Sequence, residues 1–224
     1  MSAVAALLIA AGCGGGNSTA TTGATASSRT TTRSQGPSDP GRDAIEAFVA
    51  AARRDDAAAS WRMLSTPSRD RLGPTLAAFR RDEAAGLHKR FAPFRAFEVI
   101  VSERITPELG IVAIDDGRRV DAVVLRLEGE TWKVELGGPV RIQLIGQPLL
   151  AQVAVSVEGP GGAGTAVMYV DGQTVIPKVY SSPTNSTVFA NLEPPLDPGR
   201  HTLVVFASNG RDASAGAWAF TAKQ

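Results

Sequence analysis

Few side chains in this 224-residue chain can do chemistry, so each can be followed. The single cysteine, Cys13, ends the run Leu7-Leu8-Ile9-Ala10-Ala11-Gly12. One cysteine excludes an intrachain disulfide and any zinc site built from thiolates. The two histidines, His88 and His201, are far apart in the chain. His88 lies in a helical stretch beside Lys89-Arg90, and His201 opens an apolar run after Gly199-Arg200. Both read first as structural residues, one at a helix end and one at a strand start. Asp171, Asp197 and Asp212 stand in turn sequences and are the candidates for a calcium site, although the expectation is no metal and no cofactor. The Gly159–Gly164 run is not followed by Gly-Lys-Ser/Thr or by a helical pattern, so it reads as a loop and not a phosphate cradle.

Composition narrows the partners. There are 23 Lys and Arg against 22 Asp and Glu, interspersed, which leaves no electrostatic case for nucleic acid. Arg53-Arg54-Asp55-Asp56 and Arg80-Arg81-Asp82-Glu83 balance their own charges and read as solvated helix surface. With 3 Trp and 2 Tyr, an aromatic platform for carbohydrate is not favoured.

The elements that position these residues begin with a leader. Ala3–Ala11 is an apolar core, too short to span a bilayer, which takes about 20 apolar residues. Its end, Ala10-Ala11-Gly12-Cys13, resembles the bacterial lipobox. That resemblance implies that the Cys13 sulfur is joined to a diacylglycerol, that residues 1–13 are a lipoprotein signal peptide and that Cys13 begins the mature chain. It implies three acyl chains, and at about 0.8 kcal/mol per buried methylene two already make a lasting anchor. The motif departs in having Ala at position 10 where Leu is commoner, and no Lys or Arg precedes the apolar run. The second departure points to a basic segment upstream of residue 1.

Residues 14–41 are rich in Gly, Ser, Thr and Ala, with no Leu, Ile, Val, Phe or Trp. Such a stretch has too little apolar surface to offset chain entropy, so a disordered linker is expected. A flexible coil of this length reaches roughly 30 Å. From Asp43 the apolar residues Ala44, Ile45, Phe48, Val49 and Ala52 recur at helical spacing. A second short helix follows with Ala57, Trp61 and Leu64, then a third capped by Ser65-Thr66-Pro67, with Gly73-Pro74 able to split it. After Pro93 the period changes to two, with Phe97, Val99 and Val101 on one face. Strands at Leu109–Ile114, Val120–Leu127 and Thr131–Leu136 complete a meander. Gly137-Gly138-Pro139 then marks a boundary, and beyond it the spacing is all strand: 140–145, 151–157, 166–170, 174–179, 187–192, 201–207 and 215–221. Asp171-Gly172 is a hairpin signal. Trp218 and Phe220 alternate and should share a face.

Two further resemblances set the expected fold class. Asp43-Ala-Ile-Glu-Ala-Phe-Val-Ala-Ala, Asp56–Leu64 and Leu127-Glu-Gly-Glu-Thr-Trp-Lys-Val-Glu make residues 42–139 similar to the NTF2-like cone family. Val167-Met-Tyr-Val-Asp-Gly, Leu196-Asp-Pro-Gly-Arg-His-Thr-Leu-Val-Val-Phe-Ala and Ala217-Trp-Ala-Phe-Thr make residues 140–224 similar to bacterial immunoglobulin-like domains. They imply an α+β NTF2-like domain followed by an all-β immunoglobulin-like sandwich, after the disordered tether. Cone enzymes of the first family include isomerases with an Asp base and a Tyr donor, and dehydratases with His and Asp. Residues 42–139 contain no Tyr, so the candidate pocket rests on His88, Glu98 and Asp121. The expectation is a non-catalytic, lipid-anchored protein at the outer face of a bacterial membrane, binding or scaffolding an envelope protein or a cell-wall partner. The alternative is a small-ligand binder or enzyme that uses the cone pocket.

Overall fold

A computed structural model describes residues 39–222. The leader 1–13 with Cys13, and the linker as far as residue 38, lie outside the described residues. Helix α1 (Pro40–Arg53) starts three residues before Asp43, because Asp39 caps it: its carboxylate accepts from the N–H groups of Gly41 at 3.0 Å and Arg42 at 3.3 Å. Helix α2 (Ala57–Met63) is capped in the same way by Asp56. The third expected helix is three short ones, α3 (Thr66–Leu72), α4 (Leu76–Asp82) and α5 (Ala84–Phe91). Gly73 makes the first break, at φ 148°, where a Cβ would stand 2.5 Å from the Phe79 nitrogen. Only glycine lets α4 fold back that closely. Ile45, Phe48, Val49, Phe79 and Phe91 are buried together, with the Phe48 and Phe91 rings edge to face at 5.6 Å.

The strands form three antiparallel sheets. A helix-side sheet runs in the order β1 (Glu98–Arg104), β2 (Leu109–Asp115), β3 (Val120–Glu128), β4 (Thr131–Glu135). The rest of the chain supplies β5 (Arg141–Leu144), β6 (Gln152–Glu158), β7 (Thr165–Val170), β8 (Gln173–Val175), β9 (Lys178–Ser181), β10 (Asn185–Asn191), β11 (Gly199–Ser208) and β12 (Ala213–Ala222). A middle sheet has the order β12-β11-β7-β8, and an outer sheet β5-β6-β10-β9. The run expected as one strand at 174–179 is divided between these two sheets. Ile176-Pro177 makes the crossing, and proline has no N–H to give a ladder.

An α+β cone followed by a separate immunoglobulin-like sandwich is not the observed fold. Strands take 44% of the described residues and helices 23%, and the layers run helices, helix-side sheet, middle sheet, outer sheet. The physical reason is that two sheets are buried on both faces. In the helix-side sheet Val112, Ile114, Val123 and Leu125 face the helices. Their neighbours Ile111, Ala113, Ala122 and Val124 face the middle sheet, against Tyr169, Val204 and Phe206. The middle sheet repeats the pattern, with Leu203 and Val205 turned to the outer sheet and Val204 and Phe206 turned back. A β-bulge between Val99 and Val101 places these two residues on opposite faces of the sheet, not on one as the period-two reading has it. Trp218 and Phe220 do share a face, toward the outer sheet, while Ala213, Ala215 and Ala217 turn to the helix-side sheet.

Polar ties cross the same seam. Tyr169 donates its hydroxyl to Glu103 at 2.8 Å, and burial first, then Glu103, pushes its pKa up. Arg200 reaches Asp115 with two bonds of 2.8 Å, and Arg71 reaches Asp212 at 3.2 Å. Arg71 also faces the buried Glu135, which Arg126 holds with both nitrogens of its fork. A buried carboxylate stays in place only when paired in this way.

The shared seam predicts one cooperative unfolding event. Phe206→Ala, by emptying a fully buried position in the seam, should cost about 3–5 kcal/mol. Urea unfolding followed by far-UV circular dichroism and by tryptophan fluorescence should shift together. Two separated transitions would show that the two halves fold independently.

Candidate functional site

The residues singled out from sequence do not converge. His88, on α5, holds its Nδ1 3.0 Å from the Ala52 carbonyl oxygen of α1, so the ring ties two helices. Glu98 is exposed at the start of β1, opposite Asp115. Asp121, on β3, is gripped by Arg90 through bonds of 2.7 and 2.6 Å, and Arg90 also donates to the Ala122 carbonyl. None of the three lines any of the clefts described here. Asp212 pairs with Arg71, far along the fold from the turn that carries Asp171. Among the described residues no group of three side chains is placed to hold a metal ion.

The largest cleft described, about 550 Å³, lies at the end of the middle sheet where β7 turns into β8. Its floor begins at the turn. Asp171 at φ 51° and Gly172 at φ 75° give the two left-handed residues of a type I′ hairpin, the geometry that Asp-Gly favours. Glycine is also required by space, since a Cβ at Gly172 would lie 2.8 Å from the Ile100 carbonyl oxygen. The turn is therefore pinned against β1. Its other partner is β11: Leu203 stands opposite Val170, so the next residues of the two strands, Thr202 and Asp171, meet. The Asp171 carboxylate accepts from Thr202 N at 2.8 Å and from its hydroxyl at 3.3 Å.

His201 closes the cleft on that side. Its Nδ1 is 2.7 Å from Asp171 Oδ2, and its Nε2 is 2.7 Å from the Asp197 carbonyl oxygen. The ring rests beside Phe220, with centroids 5.8 Å apart. Both nitrogens thus face oxygens that only accept, and only the doubly protonated ring donates to both. Burial pulls the His201 pKa down, and the bonds to Asp171 and the Asp197 carbonyl, with the two carboxylate charges, outweigh it and raise the pKa. The opposite wall is the segment 192–198. Leu192 N and Leu196 N donate to the Ala151 and Leu150 carbonyls, and Asp197 is held by His201, so the wall is fastened at three points.

Sequence reading placed His201 and Asp171 correctly in a strand start and a turn, and missed that they touch. The signal was present in the Asp-Gly turn and the polar pair His201-Thr202. The missing fact was the register of β7 on β11, which brings together residues 30 apart in the chain. Two smaller clefts, about 240 and 430 Å³, meet at Trp132, over which the Arg104 guanidinium lies at 5.8 Å.

The raised His201 pKa has a signed consequence. Its contribution to stability is fully present below the unfolded histidine value, about 6.5, and is lost as pH rises through the higher folded value. Relative to the native chain, His201→Gln should lose more stability at about pH 5 than at about pH 9, as measured by urea unfolding. An equal loss at both would show that the ring is not charged in the folded state.

No protein-family model matches the chain, and no curated protein matches it.

Proposed function

We propose that this chain is a non-catalytic binding protein, held by lipid on Cys13 at the extracytoplasmic face of a bacterial membrane, which presents the 170–201 cleft to an envelope or cell-wall partner. The observation that supports binding over catalysis is the state of His201. It is the one imidazole of the cleft, and both its nitrogens are spent on Asp171 and the Asp197 carbonyl. A ring so engaged has no lone pair to take a proton from a substrate. The other acid–base candidates do not come together in a pocket: His88, Glu98 and Asp121 line none of the clefts described, and Asp121 is held by Arg90.

The lip of the cleft supports a partner. Ile176 is 90% exposed there, and a partner that covered it would take its apolar surface out of water. Anchoring rests on the sequence around Cys13, and no helix among the described residues is long and apolar enough to cross a membrane.

Two measurements test the reading. Cys13→Ser should move the protein from the membrane fraction to the soluble fraction, or leave it unprocessed; unchanged partitioning of the variant into detergent would refute lipidation. A photo-crosslinking residue in place of Ile176 should capture a reproducible envelope partner in cells, while the same residue in place of the exposed Glu98 should not. Equal capture at both positions, or none at Ile176, would sink the binding role of the cleft.

A further inference from the structure

We propose that the cleft takes a lysine or arginine side chain carried on an extended peptide that lies along the free edge of β8. This rests on the binding reading above and adds the chemistry of the partner.

Charge is the first ground. Asp171, Glu193, Asp197 and His201 are the ionisable residues of the cleft, and no lysine or arginine lines it. Asp171 and His201 neutralise each other. Among the described residues the Glu193 and Asp197 carboxylates make no hydrogen bond or ion pair, so two negative charges are left facing the cleft. The nearest cation along the strand, Arg200, is turned away and held by Asp115. A cationic ligand offsets this field, whereas a carboxylate ligand would be repelled by it.

Shape is the second ground. Val170, Val175, Leu192 and Leu196 line the cleft together with Glu193 and Asp197. Long cationic side chains bury an aliphatic stem and leave the charged head at the surface, which is the arrangement this lining matches. A volume of about 550 Å³ suits one such side chain with its neighbouring backbone.

The edge is the third. β8 pairs with β7 alone and ends the middle sheet, so its outer N–H and C=O groups are open to another strand. Gln173 and Thr174 are exposed along it, and Ile176 continues the lip. An extended peptide added to this edge gains backbone bonds, and alternate side chains point into the cleft.

Fluorescence anisotropy of the full chain in detergent tests the inference with three labelled, end-blocked peptides of alternating Ser and Val, alike except for a central Lys, Gln or Glu. The Lys peptide should bind best, and the combined Glu193→Gln and Asp197→Asn variant should lose that preference by roughly fivefold, as expected for two partly exposed charge pairs. Added salt should weaken the Lys peptide most. Ile176→Ser, which removes the apolar lip without adding charge, should weaken all three; unchanged binding would overturn the placement at this lip. A Gln peptide that binds as tightly as the Lys peptide, or a Lys preference that survives the double variant, would overturn the cationic assignment and leave the cleft as a binding site. Failure of all three peptides to bind would also overturn it, and crosslinking from position 176 would then still decide the binding reading.

Discussion

The middle sheet is the constraint on which the rest of the structure depends. It is covered on both faces, and its strands alternate between two cores residue by residue. Leu203, Val205 and Ala207 serve the outer core, while Val204 and Phe206 serve the seam with the helix-side sheet. The two faces differ in kind on β12. Trp218 and Phe220 fill the outer core, and Ala213, Ala215 and Ala217 leave room for β3 to lie close on the other side. A register slip of one residue would drive the tryptophan into the tight seam and put alanines where bulk is needed. The large-and-small alternation therefore fixes register more firmly than hydrophobicity alone could.

The cleft inherits its geometry from this arrangement. Because the middle sheet packs against β1, the Asp171-Gly172 turn is pressed on the Ile100 carbonyl and cannot drift. Because β7 and β11 are neighbours, that fixed turn offers its carboxylate to His201 and Thr202. The imidazole then passes the restraint on to the Asp197 carbonyl and so to the far wall. A packing decision made in the seam thus positions polar groups at the end of the sheet. The chain of positions is made of backbone approach and hydrogen bonds, each of which is short and directional.

Much of this was legible in the sequence, and the illegible part has a physical cause. The first two helices, most of the strands, the Asp171-Gly172 hairpin and the shared face of Trp218 and Phe220 follow from local spacing and turn chemistry, whereas the third helix proves to be three short ones. What local spacing does not carry is which surfaces meet. Yet one sign was present: Ile111-Val112-Ala113-Ile114, Ala122-Val123-Val124-Leu125 and Leu203-Val204-Val205-Phe206 are unbroken apolar runs. A strand with one wet face alternates, and a strand buried on both faces does not. The boundary at Gly137-Gly138-Pro139 and the two resemblances lead instead to two separate domains. Reading the runs as doubly buried strands leads to stacked sheets. The candidate site failed for a related reason. His88 and Asp121 are the expected types in a pocket, but a histidine beside a helix-end carbonyl, or an aspartate across from an arginine, is taken up by the nearest complementary group.

The same principle supports the proposed choice of binding over catalysis at His201. A catalytic imidazole needs one nitrogen held and the other free, so that it can exchange a proton in each cycle. Here both nitrogens are held by acceptors, which stabilises the charged ring and removes its freedom to cycle. The contrast lies within a few ångströms: Asp171 is saturated by His201 and Thr202, while Glu193 and Asp197 keep their carboxylates unpaired in the described residues. Groups saturated by their own chain build the walls of the cleft. Groups left unsaturated in its lining are the ones whose electrostatic energy a partner can still change, and the proposed specificity rests on that difference.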